Sequence, residues 1–240
     1  MQKILLSFVL VAISSPVALA APESKPGFLI MQRSHFLGRR DVYLTDSAFK
    51  AINPVTGHIL ITTAPDWQVL IANSRSKLYF LTPFETWLGR KVAVGERTVS
   101  GMTAKQARPV KGERIICGLK ATKMAVNSTG LEKRYFSGVR DINDFDLGEY
   151  WVTNDLPFPR KARNTICTFY QLPMISGFPL EATYRRSKKD MDVQHLQTTE
   201  VKRKSIDSSI FTVPQNFKRA NFEAEVWVDD KTRLMLEIFR

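Results

Sequence analysis

Three histidines, two cysteines and one loop dense in carboxylates are the residues of this chain best suited to chemistry. His35, His58 and His195 are the candidate bases. None is near a Ser-x-Gly elbow or a cysteine in sequence, so no local signature of nucleophilic catalysis supports them. A hydrolase with a site assembled only in space is therefore the weakest of three functional readings, and the chain is expected not to be an enzyme. The stretch "RDINDFDLGE" carries Asp141, Asp144, Asp146 and Glu149. Hard carboxylates on a loop suit calcium, but Phe145 occupies a would-be ligand position and the glycine is misplaced. The stretch reads as a solvated acidic loop. Two cysteines and scattered histidines do not make a zinc set, so no metal is expected. There is no glycine-rich phosphate loop, and no cofactor is expected either.

The charges point to partners instead. The chain has 35 Lys and Arg against 23 Asp and Glu, a net charge of +12. The basic residues gather at Arg39-Arg40, Arg160-Lys161-Arg163, Arg185-Arg186-Lys188-Lys189 and Lys202-Arg203-Lys204. Such a field attracts anions. Arg185, Arg186 and Lys188 are the candidate contacts to an anionic head group, and the plainer reading of every cluster is a solvated basic face.

Which anions are available depends on the compartment. Met1-Gln2-Lys3 is a short positive start, Ile4 to Ile13 is apolar apart from Ser7, and Pro16 ends the run. Ala18-Leu19-Ala20 then fits a small-x-small cleavage pattern. The apolar stretch falls short of the roughly 20 residues a spanning helix needs. Residues 1–20 read as a signal peptide cut between Ala20 and Ala21, with no cysteine behind the cut to carry a lipid and no later transmembrane helix. The expected location is the periplasm or the exterior. There an anionic membrane surface or an envelope polymer is a more natural partner than nucleic acid, which is not expected. In an oxidising compartment Cys117 and Cys167 would most simply form a disulfide, tying a helix to the sheet; two buried free thiols are the alternative.

The elements follow from the apolar pattern. The remaining chain of about 220 residues suits one domain, 21–240, and a monomer. Its 44% hydrophobic and 10% aromatic content is globular. From Gly38 to Pro83 the turn signals recur as in a meander of three or four antiparallel strands. "PFETWL" reads as a short helix, "RIICGLKATKMAV" as a strand, "KRYFSGV" as its return and "DMDVQHLQTTEVKRKSI" as a long strand. Ala162, Ile166, Phe169 and Tyr170 make a helical stripe after Pro159. "FEAEVWV" reads as a strand and "DDKTRLMLEIF" as a closing helix. In Gly57–Pro83 the strands put apolar residues on both faces, whereas a solvated antiparallel sheet alternates. Something must cover the second face.

The stretches Trp67-x-Val69-x-Ile71-x-Asn73 and Phe211-x-Val213-Pro214-x-x-Phe217-Lys218, in this order around an amphipathic helix and a long basic strand, resemble the LolA/LolB-like superfamily of periplasmic lipoprotein carriers. That resemblance implies an α+β, mostly β fold: a curved antiparallel sheet, or incomplete barrel, with helices covering its concave face. It also implies a hollow that holds a lipid or acyl chain. Trp67, Val69, Ile71, Leu78 and Phe80 would line it from the strands, and Phe169 and Tyr170 from the helix. The chain departs from the carriers in its cysteine pair and its basic tract at 185–189. The leading expectation is a non-catalytic binder or carrier of a hydrophobic ligand in the cell envelope. The alternative is a secreted interaction protein whose hollow is filled by its own helices and which acts through its basic face.

Overall fold

The structure is a computed structural model, which describes residues 24–35, 37–88, 92–94, 97–99, 107–127, 147–170, 172–185 and 191–227. One sheet of twelve strands dominates it. Strands β1 (Ser24–Ser34), β2 (Gly38–Leu44), β3 (Ala48–Ile52), β4 (His58–Thr63), β5 (Val69–Asn73) and β6 (Leu78–Thr82) form a meander. After helix α1 (Phe84–Leu88), β7 (Val92–Val94) and β8 (Arg97–Val99) make a separate small hairpin. A second meander runs through β9 (Arg108–Ile116), β10 (Leu119–Asn127), β11 (Leu147–Thr153), β12 (Phe178–Arg185) and β13 (Val193–Asp207), with helix α2 (Arg160–Tyr170) between β11 and β12. The meanders join where β1 pairs antiparallel with the 15-residue β13 over eleven positions. The last strand, β14 (Lys218–Arg219), pairs parallel with β6, and helix α3 (Ala224–Trp227) follows. The sheet does not close: in its order β9 and β14 stand at opposite ends.

The sheet is curved. Phe49 on β3 and Phe178 on β12 are four strand spacings apart, about 19 Å in a flat sheet, yet their rings lie 6.4 Å and 4.9 Å from the one Phe158 ring. Helix α2 lies inside the curve. Its stripe Ala162, Ile166, Phe169 and Tyr170 is buried, as the 3.6-residue period predicts, together with Cys167.

The two-sided strands are explained by two covers. Leu60 on β4, with Val69 and Ile71 on β5, faces the helix-covered core. Ile59, Ile61, Leu70 and Ala72, which alternate with them, face a second core on the convex side. That side is covered by the chain after β13. A 3-10 turn at Ser208–Phe211, capped by the Asp207 carboxylate accepting from the Ser209 N–H at 2.8 Å, leads into a segment that lays Phe211, Val213 and Phe217 on the convex core. The chain then passes the sheet edge as β14, and Ala220 and Val226 are buried back on the concave side. Residues 208–227 thus clasp the edge of the first meander from both faces. The motif Phe211-x-Val213-Pro214-x-x-Phe217-Lys218 is this clasp.

Several expectations need correcting. The first meander has five strands between Gly38 and Thr82, besides β1, because Thr45–Ser47 turns the chain within "DVYLTDSAFKAI". "RIICGLKATKMAV" is not one strand but the ends of two. Cys117 (φ 49°) and Gly118 (φ 80°) make a two-residue turn that pairs Ile116 with Leu119; successive positive φ values mark the type I′ geometry that suits hairpins. Within "FEAEVWV", Ala224–Trp227 winds into helix α3 instead of extending as a strand. No disulfide forms. Cys117 is exposed at the hairpin tip, its Sγ donating to the Thr198 carbonyl at 3.6 Å, whereas Cys167 is fully buried inside the helix-covered core. Burial raises the Cys117 thiol, helped by Glu181 and Glu200, and pushes Cys167 up to about 12. In the native protein a maleimide will therefore label Cys117 slowly and leave Cys167 untouched until unfolding; equal labelling of both would contradict the assigned environments. The expected cleavage site at Ala20 and Ala21, Asp141 to Asp146, "KRYFSGV" and the closing helix of "DDKTRLMLEIF" lie outside the described residues.

Candidate functional site

Cross-strand pairing lays the concave face of the first meander out in rows. Val201, Ile30, Val42, Ala51, Leu60, Ile71 and Phe80 are successive partners across β13, β1, β2, β3, β4, β5 and β6. Every member is apolar. Side chains on one face recur every second residue, so the next row to one side comprises Thr198, Gln32, Arg40, Asn53, His58 and Asn73. Thr198 pairs with Gln32, Gln32 with Arg40, and His58 with Asn73. Asn53, just beyond β3, donates its N–H to the His58 carbonyl. These six members are polar, and all but His58 are buried; on β6 the row ends in apolar, half-buried Leu78, the partner of Asn73. To the other side run Arg203, Phe28, Leu44, Phe49, Thr62, Val69 and Thr82. The concave face is therefore amphipathic along the strands.

The polar row is organised around the C-terminal end of α2. The Tyr170 hydroxyl donates to Gln32 Oε1 at 2.9 Å. Gln32 Nε2 donates to the Pro179 carbonyl at 2.8 Å and to Thr198 Oγ1 at 3.0 Å, and Thr198 Oγ1 donates to the Leu180 carbonyl at 2.7 Å. A buried amide with its donors and acceptor occupied fixes the register of helix on sheet. His195 is the extra residue of a bulge between β12 and β13, where Ala182 pairs with Leu196 and Thr183 with Gln194. Bulges re-aim side chains, and here the His195 Nε2 reaches the Tyr170 carbonyl at 2.6 Å. At the far side of the row, Asn73 Nδ2 donates to the Val226 carbonyl at 3.3 Å, and the His58 ring lies 5.0 Å from that of Trp227.

Among the described residues, two members of the row are incompletely paired, His58 at Nε2 and Arg40 at Nε, and of these Arg40 is the cation. It is 3% exposed, and Nη1 donates to the neighbouring Arg39 carbonyl at 2.9 Å, while Nε has no partner among the described residues. Its guanidinium carbon lies 5.6 Å from the Phe169 ring centroid. Asp41, next in sequence, alternates to the opposite face and pairs with Arg39 at 3.2 Å. Burial pushes the Arg40 pKa down from its ordinary value to about 10, with Tyr170 acting in the opposite direction, so the group stays cationic at neutral pH.

Two histidines make the fold sensitive to acid. Burial holds His58 and His195 below their usual 6.5; the Arg40 charge adds to the effect at His58 and His35 adds to it at His195, while backbone hydrogen bonds oppose it. In the folded chain these imidazoles stay neutral, whereas in the unfolded chain they protonate below about 6.5. The unfolded state then binds more protons, so this contribution is complete above that pH and is lost as pH falls below it. The melting temperature will drop between about pH 7 and pH 5, and His195→Gln will flatten the drop; a Tm that rises on acidification would contradict the assignment.

The residues expected to line a hollow fall together. Trp67, Val69, Ile71, Phe169 and Tyr170 are all buried in the helix-covered core, and Leu78 and Phe80 are half-buried against it. Trp67 is held at φ 55°, its carbonyl accepting from the Thr62 hydroxyl at 3.0 Å. Of the expected head-group residues, Arg185 ends β12, while Arg186 and Lys188 lie outside the described residues. Gln32 and Thr198 carry no signal in the sequence, and Arg40 reads there only as half of the Arg39-Arg40 cluster. The signal that finds Arg40 is its parity with Val42 and Leu44 along β2. A pocket of about 160 Å³ opens on the convex side, beside Ile61, Asp66, Gln68 and Phe211. Among the described residues no three His, Cys, Asp or Glu side chains are placed to hold a metal, and no helix is long and apolar enough to cross a membrane.

No protein-family model matches the chain, and no curated protein matches it by sequence. Among solved structures, PNGF-II is similar with a TM-score of 0.48 at 11% identity over 85% of this chain, which spans 33% of that one. An uncharacterised conserved protein from Thermus thermophilus has a TM-score of 0.44 at 14% identity, over 82% of this chain and 90% of that one. A LolA superfamily protein from Nitrosomonas europaea has a TM-score of 0.27 at 11% identity, over 80% of this chain and 90% of that one. All three TM-scores lie below 0.5, and no family is shown for the chain.

Proposed function

We propose that this is an exported, non-catalytic protein, cut between Ala20 and Ala21 and folded as one domain, that binds a hydrophobic ligand on the concave face of its sheet. The observation that supports this reading is the apolar row from Val201 to Phe80. It crosses seven strands, about 29 Å at 4.8 Å per spacing. The helix packed there, α2, is 11 residues long, which makes it about 16 Å long and about 10 Å wide. It shares the cover with Trp87 of α1 and Val226 of α3, so that Ile30, Val42, Ala51, Leu60 and Ile71 are at most 1% exposed, while Val201 and Phe80 at the two ends of the row stay half-buried. Phe28, Leu78, Phe80, Leu88 and Trp227 remain half-buried at the rim. Such a rim is where an acyl chain gains most from burial, at roughly 25 cal/mol per Å² before the costs of binding. Trp67, Val69, Ile71, Phe169 and Tyr170 would form the floor and Leu78 and Phe80 the entrance. Arg185, Arg186 and Lys188 would draw the protein to an anionic membrane surface or envelope polymer.

The self-filled alternative has one observation of its own: the five floor residues are already buried by the protein itself. Titration with a fluorescent naphthylamine probe separates the two. Saturable binding near one probe per chain, weakened at least tenfold by Phe80→Asp with an unchanged Tm, supports the ligand face. Absence of saturation supports the filled core and moves attention to the basic surface.

A further inference from the structure

The polar row next to the apolar one has a charge that the fold leaves unused. A cation this deeply buried is normally paired with a carboxylate, because desolvation is costly otherwise. Among the described residues, Arg40 meets one backbone carbonyl and one aromatic ring and no carboxylate. Its neighbours in the row, Gln32 and Thr198, are hydrogen-bonded to each other and to backbone carbonyls and do not neutralise it. A guanidinium presents its N–H edge to an oxyanion as a fork, and here Nε is unpaired within that edge. Two residues along the strand, Val42 is 0% exposed and belongs to the apolar row.

We propose that Arg40 binds the anionic head group of a single-chain amphiphile whose hydrocarbon lies along the apolar row. This rests on the reading of the concave face as a ligand surface and names the ligand class for it. It also moves the head group from the basic tract at 185–189 to a buried site beside the C-terminal end of α2. The head group would replace the Phe169 ring as the main neighbour of the guanidinium. The shared chemistry is an oxyanion on a long chain; carboxylate and phosphate both meet it.

The test is binding of three oleyl probes to the full mature chain: oleate, oleoyl-lysophosphatidate and oleyl alcohol, followed by tryptophan fluorescence. At least one anion is expected to bind ten times more tightly than the alcohol, and the tighter anion names the head group. Arg40→Met is expected to erase that preference, keep the alcohol affinity within twofold and raise the Tm of the empty protein, since it removes an unpaired buried charge. Arg40→Lys, which keeps the charge without the fork, is expected to lower the preference several-fold. If oleate, lysophosphatidate and the alcohol bind equally, or if Arg40→Met keeps the preference, the anion site is overturned while the hydrophobic surface stands. If none of the three binds, the hydrophobic surface itself fails, and the anion site with it.

Discussion

Phe49→Ala is expected to lower the unfolding free energy by about 3–5 kcal/mol, the range for emptying a buried aromatic site. Phe49 is 0% exposed and stands between Leu44 and Thr62 across the strands. Its ring lies 6.4 Å from that of Phe158, which makes an edge contact with Phe178 at 4.9 Å. Phe49 therefore anchors the chain entering α2 to the first meander, and Phe178 anchors it to the second. Collapse cannot fill the gap, because both neighbours are tied to the sheet. Against a typical stability of about 5–15 kcal/mol the loss is severe. Chemical denaturation checks it: a midpoint shift worth less than about 1 kcal/mol would mean that α2 is not held through this aromatic chain.

Ending the chain after Asp207 is expected to have a still larger effect, the loss of a stable soluble monomer. The cut removes Phe211 and Val226, each worth about 1.5–3 kcal/mol of buried apolar surface, and it also uncovers what they protect. Ile59, Ile61, Leu70 and Ala72 would face water as one convex patch, and β6 would lose its edge partner. Exposed apolar patches and bare strand edges drive association. Size-exclusion chromatography of the shortened chain should give aggregates or no soluble protein. A monomer with an unchanged melting curve would show that the clasp is decoration. Asn73→Ala is a milder probe of the same clasp, since the Asn73 amide holds the Val226 carbonyl.

What could be read from the sequence followed local periodicity. Helix α2 was legible because Ala162, Ile166, Phe169 and Tyr170 repeat at helical spacing, and β13 because it is long and rich in β-branched residues. Strand β1 was not, since Pro26 and Gly27 sit at its start and read as a break. The β9–β10 hairpin was hidden because Cys117, not the usual Asn or Asp, takes the first left-handed turn position. Helix α3 was misread because Val226 and Val228 alternate like strand residues, while the tertiary contacts of Val226 bury it from a helical turn. The disulfide followed from compartment and count alone, and neither says that one cysteine sits at a hairpin tip and the other inside the core. The polar row was invisible for a different reason. Its members come from β13, β1, β2, β4 and β5 and the turn after β3, and only strand register aligns them. Arg40 beside Arg39 looks like part of a basic cluster, yet period two sends Arg39 out and Arg40 in.

The account stands on the concave face being a ligand surface. The most direct measurement is organic extraction and mass spectrometry of the mature protein, exported and purified without detergent. The account predicts a long-chain amphiphile at close to one molecule per chain, reduced at least fivefold in protein carrying Phe80→Asp. A mature protein that extracts clean, and that takes up no oleyl probe when one is offered, would contradict it.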